Sequence, residues 1–240
     1  MRSAVNPRIR TQTGKKAELF VRVAQSNDEI IAAQRLRYQI FTEEYGATLH
    51  SPVQGLDCDR YDQYCNHLIV INNLNGEVIA TTRLLEDADV PLTGGFYSES
   101  EFDLSTIHRM PGKKLEIGRT CVHRDYRAGA TLALLWSGIA RFVLERRFDY
   151  LLGCGSISLI NGFTDAWSIT RQLLLTNALD PELQVKPHHP LPETGIPDGY
   201  QAAIPALIKA YTRLGASIGG EPCWDPDFQC ADLFILLPIS

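Results

Sequence analysis

The spacing of hydrophobic and polar positions changes period several times along the chain. Leu19 to Ala24 alternates with period two and predicts a first strand. Ser26-Asn27-Asp28-Glu29 then matches a capping box, in which a hydroxyl and a carboxylate satisfy each other's backbone N–H groups. Ile30, Ala33, Leu36, Arg37, Ile40 and Phe41 follow at helical spacing. Arg37 and Phe41 are four apart and share a face, so the arginine looks inward and needs a partner. His67 to Asn72 and Glu77 to Leu85 predict two strands joined by a turn containing Asn75-Gly76. The intervening Gly46 to Asn66 has no apolar period and carries Asp57, Asp59 and Asp62. An irregular segment of that length in a compact domain is usually functional or mobile.

Leu115 to His123 predicts the central strand. A short loop with Arg124, Arg127 and Gly129 follows, and a strongly apolar helix opens near Thr131 and ends in Arg146-Arg147. A strand feeding a glycine-containing loop and then a helix gathers unpaired N–H groups and the helix dipole at one point, which suits a phosphate. Glu116 and Arg119 place a carboxylate and a guanidinium on the strand itself. Beyond it, Tyr150 to Cys154 reads as a short buried strand and Gly162 to Thr176 as a helix. Pro181 to Pro205 is a Pro- and Gly-rich loop, and Ile204 to Leu214 a helix closed by Gly215. Ser217 to Cys223 and Asp232 to Ile239 end the chain as strands. The order of elements predicts an α/β chain with a single mixed, mostly antiparallel central sheet flanked by helices.

Composition narrows the function. A net charge of −5 over 240 residues argues against a nucleic-acid binder. The six cysteines form no C-x-x-C pair, which favours a reduced cytoplasmic protein and offers no metal site; His188-His189 lacks a third ligand nearby. No stretch approaches the ~18 uninterrupted apolar residues of a membrane span. Residues 1–17 are polar and basic and read as a flexible tail before a domain at 18–240. The sharper reading of the tail is a peripheral contact with anionic headgroups at the inner face of the membrane.

No dinucleotide fingerprint or P-loop is present. The R-x-x-R-x-G-A run at 124–130 resembles the pantetheine-phosphate loop of the GNAT N-acyltransferases. Longer segments are similar to the branch of that family that draws on acyl carrier protein. They include LRYQIFTEEYGA (36–47), DRYDQYCNHLIVI (59–71), GGFYSESEFDL (94–104) and LEIGRTCVHRDYRAG (115–129). This branch holds the acyl-homoserine lactone synthases and, closer to this chain, the hemolysin-like ornithine N-acyltransferases.

The resemblance implies a GNAT-like fold and transfer of a (3-hydroxy)fatty acyl group from acyl carrier protein to the α-amino group of ornithine. It implies no permanently bound cofactor; the acyl group arrives on 4′-phosphopantetheine of the carrier or on CoA. Carried over by position, Arg37, Phe41, Asp59, Asp62 and Arg83 belong to the amino-substrate pocket, and Glu116 and Arg119 to catalysis. Cys121, Val122, Arg124, Arg127, Gly129 and Ala130 fall to the acyl donor. A carboxylate such as Glu116 suits the removal of a proton from the substrate ammonium. Backbone N–H groups around Cys121 and Val122 suit the thioester oxyanion. Cys121 as an acyl-carrying nucleophile lacks an identifiable histidine base. Some of Lys113, Lys114, Arg124, Arg127, Arg141, Arg146 and Arg147 are expected to dock the acidic carrier. Gly46-Ala47-Thr48 replaces the aromatic-rich loop of a lactone synthase, which weighs against that alternative, as it leaves open an N-acyl synthase for another amino acid.

Overall fold

The computed structural model describes residues 8–10, 16–127 and 130–239. Its strands are β1 (Arg8–Arg10), β2 (Lys16–Val23), β3 (Asn66–Asn72), β4 (Glu77–Glu86), β5 (Phe102–Asp103), β6 (Lys114–Val122), β7 (Tyr150–Ser158), β8 (Lys186–Pro187), β9 (Ser217–Ile218), β10 (Cys223–Asp225) and β11 (Cys230–Pro238). The helices are α1 (Asn27–Tyr38), α2 (Val90–Thr93), α3 (Ser105–His108), α4 (Ala130–Arg146), α5 (Phe163–Asn177) and α6 (Ala206–Arg213). The chain divides into two compact units: residues 1–44, 49–85 and 118–147, and residues 45–48, 86–117 and 148–240.

In the first unit β2 pairs antiparallel with β1 and β3, and β3 with β4. The second half of β6 follows, with His123 N–H donating to the Ile79 carbonyl at 2.8 Å. The tight turn of the β3–β4 hairpin uses Gly76 at φ +74°, a conformation glycine adopts without penalty. Both strands are buried along nearly their whole length, β3 through Leu68–Ile71 and β4 through apolar residues together with the buried Thr81, Thr82 and Arg83. Helix α1 covers one face, where Ala33, Leu36 and Ile40 meet Ile69, Ile71, Val78 and Cys121. The other face takes α4 so closely that a Cβ on Gly138 would lie 2.6 Å from Val21. Ser26 caps α1 as expected, its Oγ accepting from Glu29 N–H, while the Glu29 carboxylate reaches one residue further back and accepts from Gln25 N–H at 2.7 Å. Past Tyr38, α1 widens into a π-helical turn, Gln39–Glu44, carrying Phe41 against the core and Glu44 beyond it.

In the second unit the first half of β6 runs parallel to β7, and β7 pairs antiparallel with β11 along its full length. Strands β9 and β10 add antiparallel to β11. Helix α6 lies over β7: a Cβ on Gly155 would be 3.3 Å from Ile208. The expected mixed, mostly antiparallel sheet with helices on its faces is present.

Several boundaries move. The first strand begins at Lys16, earlier than Leu19, and β1 precedes it; residues 1–7 and 11–15 lie outside the described set. Strand β7 continues to Ser158 because exposed Ser156 and Ser158 alternate with buried Gly155 and Ile157, a half-buried pattern. The strand expected over Ser217 to Cys223 is two short strands, and the last strand starts at Cys230. No helix among the described residues is long and apolar enough to cross a membrane.

Candidate functional site

The inward-looking Arg37 finds its partners in the irregular segment. In the first unit its Nε donates to Asp57 Oδ2 at 2.8 Å and its Nη2 to Asp62 Oδ1 at 2.8 Å. Nη2 also bonds the Asp57 carbonyl. Arg83, from β4, donates to Asp59 Oδ1 at 2.7 Å and Asp62 Oδ2 at 3.2 Å. Arg119 pairs more loosely, with Asp57 at 3.4 Å and Asp59 at 3.7 Å. Three guanidiniums therefore face three carboxylates. Arg37 is fully buried, and Asp62, at 6% exposure, is nearly so. Asp62 also caps its own turn by accepting from Asp59 N–H at 2.9 Å.

Burial by itself would raise the Asp62 pKa, but the charges of Arg37 and Arg83 overcome it and hold the carboxyl well below the usual range. His67 Nε2 lies 3.0 Å from the Asp62 carbonyl, and burial lowers its pKa, so it is neutral at pH 7. Both Asp62 oxygens accept from arginines, an arrangement suited to holding those side chains in place. Asp59, about a quarter exposed at its side chain, is the more open of the two expected aspartates.

Arg119 sits in β6 with φ +53°, a left-handed conformation rare for a non-glycine residue inside a strand. Such strain persists only where the surroundings enforce it, and it clusters at functional sites. No sequence signal marks it. The donor-side residues follow. The Cys121 thiol is buried in the α1 core cluster and burial pushes its pKa up to about 12. It is packing, and its thiol is held far from the thiolate form a nucleophile needs. The Val122 carbonyl accepts from Arg127 Nε at 3.1 Å. Arg127 Nη2 also pairs with Glu44 at 2.6 Å, a partner 83 positions away that the sequence did not announce. Arg124 is exposed in the turn Arg124–Tyr126, and Ala130 begins α4. Gly129 lies outside the described residues.

In the second unit Glu116 is buried and accepts hydrogen bonds from the turn at Tyr97–Ser100. Tyr97 N–H donates at 2.7 Å, Ser98 N–H at 2.8 Å and Ser98 Oγ at 2.6 Å. The 3₁₀ turn Tyr97–Ser100 thus presents two backbone amides and a hydroxyl to one carboxylate. Ser98 belongs to the FYSESEFDL run singled out in the sequence, but its role there was not foreseen. Cys154 Sγ donates to the same hydroxyl at 3.4 Å. Beyond Glu116 the parallel pairing of β6 and β7 stops. An apolar cleft lies there, lined by Ile117, Leu151, Gly153, Cys154, Tyr211 and Ile235.

Lys114 corrects the docking expectation. It is buried, and its Nζ donates to the Met110 and Gly112 carbonyls at 2.6 and 3.1 Å, so it presents no charge to a partner. One group among the described residues has cation-ligand spacing: Asp225, Cys230 and Asp232 bring ligand atoms within 4.8 Å of one another. Burial holds the Cys230 thiol well above its ordinary pKa, and it donates to Asp232 Oδ2 at 3.4 Å. A protonated thiol is a poor ligand, and no metal is assigned.

Comparisons with known proteins agree with this geometry. An acetyltransferase (GNAT) domain model matches residues 36–137. The L-ornithine N(alpha)-acyltransferase of Rhizobium meliloti is 36% identical over 265 residues, covering 100% of this chain and 86% of the relative. The protein of the same name from Brucella abortus is 32% identical, covering 95% and 86%. The CoA-dependent acyl-homoserine lactone synthase BjaI, solved with SAM and isopentyl-CoA, superposes with a TM-score of 0.57 over 93% of this chain and 84% of that one. At 16% identity this likeness concerns the fold, which is the GNAT fold. The chain is an N-acyltransferase and belongs to the family of the L-ornithine N(alpha)-acyltransferases.

Proposed function

We propose that the protein transfers a 3-hydroxyacyl group from the phosphopantetheine arm of acyl carrier protein to the α-amino group of L-ornithine, giving a lyso-ornithine lipid. The observation that carries this reading is similarity along the entire chain to enzymes named for that amino acid and that nitrogen. Glu116 takes a proton from the α-ammonium, directly or through a water, so that nitrogen can attack the thioester carbonyl. Amides of β6 near Cys121 and Val122 receive the developing oxyanion. The carbon–sulfur bond then breaks and pantetheine leaves as a thiol. The cleft lined by Ile117, Leu151, Tyr211 and Ile235 is apolar, as the acyl end of the donor requires, and must widen to admit a chain.

Arg124, Arg127 and the start of α4 hold the phosphodiester. Arg127 is half-exposed and its pair with Glu44 is worth only about 0–1 kcal/mol. A charge-assisted bond to phosphate is worth about 1.5–3 kcal/mol, so the phosphate displaces Glu44. Arg37, Phe41, Arg83, Asp59 and Asp62 frame the amino-substrate pocket, Arg119 completing the charge balance. The acyl product favours a peripheral position at the inner membrane face, assisted by the basic N-terminal residues. The test is incubation with 3-hydroxyacyl carrier protein and each standard amino acid plus ornithine, read by mass spectrometry. Acylated ornithine as the dominant product is expected; dominance of another acyl amino acid overturns the substrate assignment.

A further inference from the structure

Glu116 connects to a second group that the acyl-transfer scheme leaves unused. Ser98 is fully buried, and its hydroxyl stands between two side chains: it donates to Glu116 Oε1 at 2.6 Å and receives the Cys154 thiol at 3.4 Å. Cys154 lies on β7 where that strand has parted from β6, is half-buried, and lines the apolar cleft. The three side chains therefore form an unbroken hydrogen-bonded line from the carboxylate to the cleft wall. A buried hydroxyl so placed exchanges its proton with its two neighbours more readily than with water.

We propose that the Cys154 thiol is the acid that protonates the departing pantetheine sulfur, resupplied from Glu116 through the Ser98 hydroxyl. This rests on the reading of the protein as an ornithine N-acyltransferase with Glu116 as base. The proton balance closes without any further reagent. The ammonium nitrogen loses two protons on becoming an amide. One passes to Glu116, and the other goes to solvent. When the carbon–sulfur bond breaks, its electron pair stays on the pantetheine sulfur, which takes the Cys154 proton. The Cys154 thiolate takes the Ser98 hydroxyl proton, and Ser98 takes the proton held by Glu116. The enzyme ends as it began, and the amine's proton has reached the leaving thiol.

Burial holds the Cys154 thiol well above the ordinary cysteine pKa, which keeps it protonated between turnovers. That state opposes a covalent acyl-cysteine route, which needs the thiolate.

The test compares Cys154→Ala with the wild type on two donors carrying the same acyl group, with ornithine as acceptor. One is acyl-pantetheine, whose alkyl thiolate needs a proton to leave. The other is the S-acyl 4-nitrothiophenol, which leaves as a stable anion. The expected result is a kcat about 10²-fold below wild type on acyl-pantetheine, with the deficit at least tenfold smaller on the activated donor. Cys154→Ser keeps the size and a dissociable proton and should recover part of the loss on acyl-pantetheine alone. If the alanine variant does not fold, the serine variant carries the same comparison against wild type. Equal deficits on both donors overturn the relay and make Cys154 a packing residue. A wild-type enzyme that acylates ornithine neither from these donors nor from 3-hydroxyacyl carrier protein overturns the acyl-transfer reading itself, and the relay with it.

Discussion

Replacing Asp62 with asparagine keeps the shape of the side chain and removes one charge from a balanced buried cluster. The Asp62 carboxylate serves Arg37 at 2.8 Å, Arg83 at 3.2 Å and the Asp59 amide at 2.9 Å. After the change Arg37, Arg83 and Arg119 face only Asp57 and Asp59, leaving one positive charge unmatched in a buried setting. Loss of one partner of a buried pair costs about 3–5 kcal/mol, and the amide oxygen still accepts one bond, so about 3 kcal/mol is expected. For a domain of this size 1 kcal/mol moves Tm by about 2–4 °C, giving a fall of roughly 6–12 °C by circular dichroism. Asp59→Asn, at a site about a quarter exposed, should cost about 1 kcal/mol or less.

The pH dependence follows from the sign of the shift. The folded pKa of Asp62 is depressed below its unfolded value of about 3.9. Its contribution is therefore present above about pH 4 and is lost as pH falls through the folded value. Asp62→Asn should flatten the acid limb of the stability curve relative to wild type. If Asp62 is scaffold, Asp62→Asn should also lower kcat/KM for ornithine and for norvaline by the same factor. An Asp62→Asn protein melting within about 2 °C of wild type, or one whose losses fall on ornithine alone, refutes the scaffold assignment.

Three further outcomes are expected. Glu116→Gln sets an amide NH2 against a donor such as the Tyr97 N–H, so it should cost about 1–3 kcal/mol of stability and lower the kcat of the folded protein about 10²-fold or more; single-turnover rates near wild type at saturating amine would remove Glu116 as base. Arg127→Ala should raise Kd for holo-carrier protein roughly 10–100-fold, from about 1.5–3 kcal/mol, while Glu44→Gln should tighten it slightly; titration calorimetry reads both, and unchanged carrier affinity in Arg127→Ala moves the phosphate elsewhere. Gly153→Ala places a Cβ 2.3 Å from the Ile117 carbonyl oxygen and should cost about 1–3 kcal/mol of stability, measured by thermal melting; a wild-type Tm would show that β6 and β7 can part there without cost.

The local elements were legible because their signals are local. The Asn75-Gly76 turn and the two apolar runs beside it announce the β3–β4 hairpin, and the Ser26–Glu29 box announces α1. Strand β7 was truncated because Gly155, Ser156 and Ser158 carry no apolar signal although their backbones pair with β11. The resemblance brought the charged residues forward by position, but not the part Asp57 plays in pairing them. That Arg37 bonds Asp57 as well as Asp62 depends on how the irregular segment folds back on α1. The Glu44–Arg127 pair, the burial of Lys114 and the Ser98 bridge to Glu116 join residues that no periodicity relates. The left-handed backbone at Arg119 had no marker at all, since arginine is not a residue that signals it.

The most direct test of the central claim is a competition assay: purified protein, 3-hydroxyacyl carrier protein, and equimolar ornithine, lysine, glycine and norvaline, with products separated and fragmented by mass spectrometry. The account predicts that ornithine is the principal acceptor, and that fragmentation places the acyl group on the α-nitrogen and leaves the δ-amine free. Acyl transfer to the δ-nitrogen, or to another of these amino acids in preference to ornithine, contradicts it.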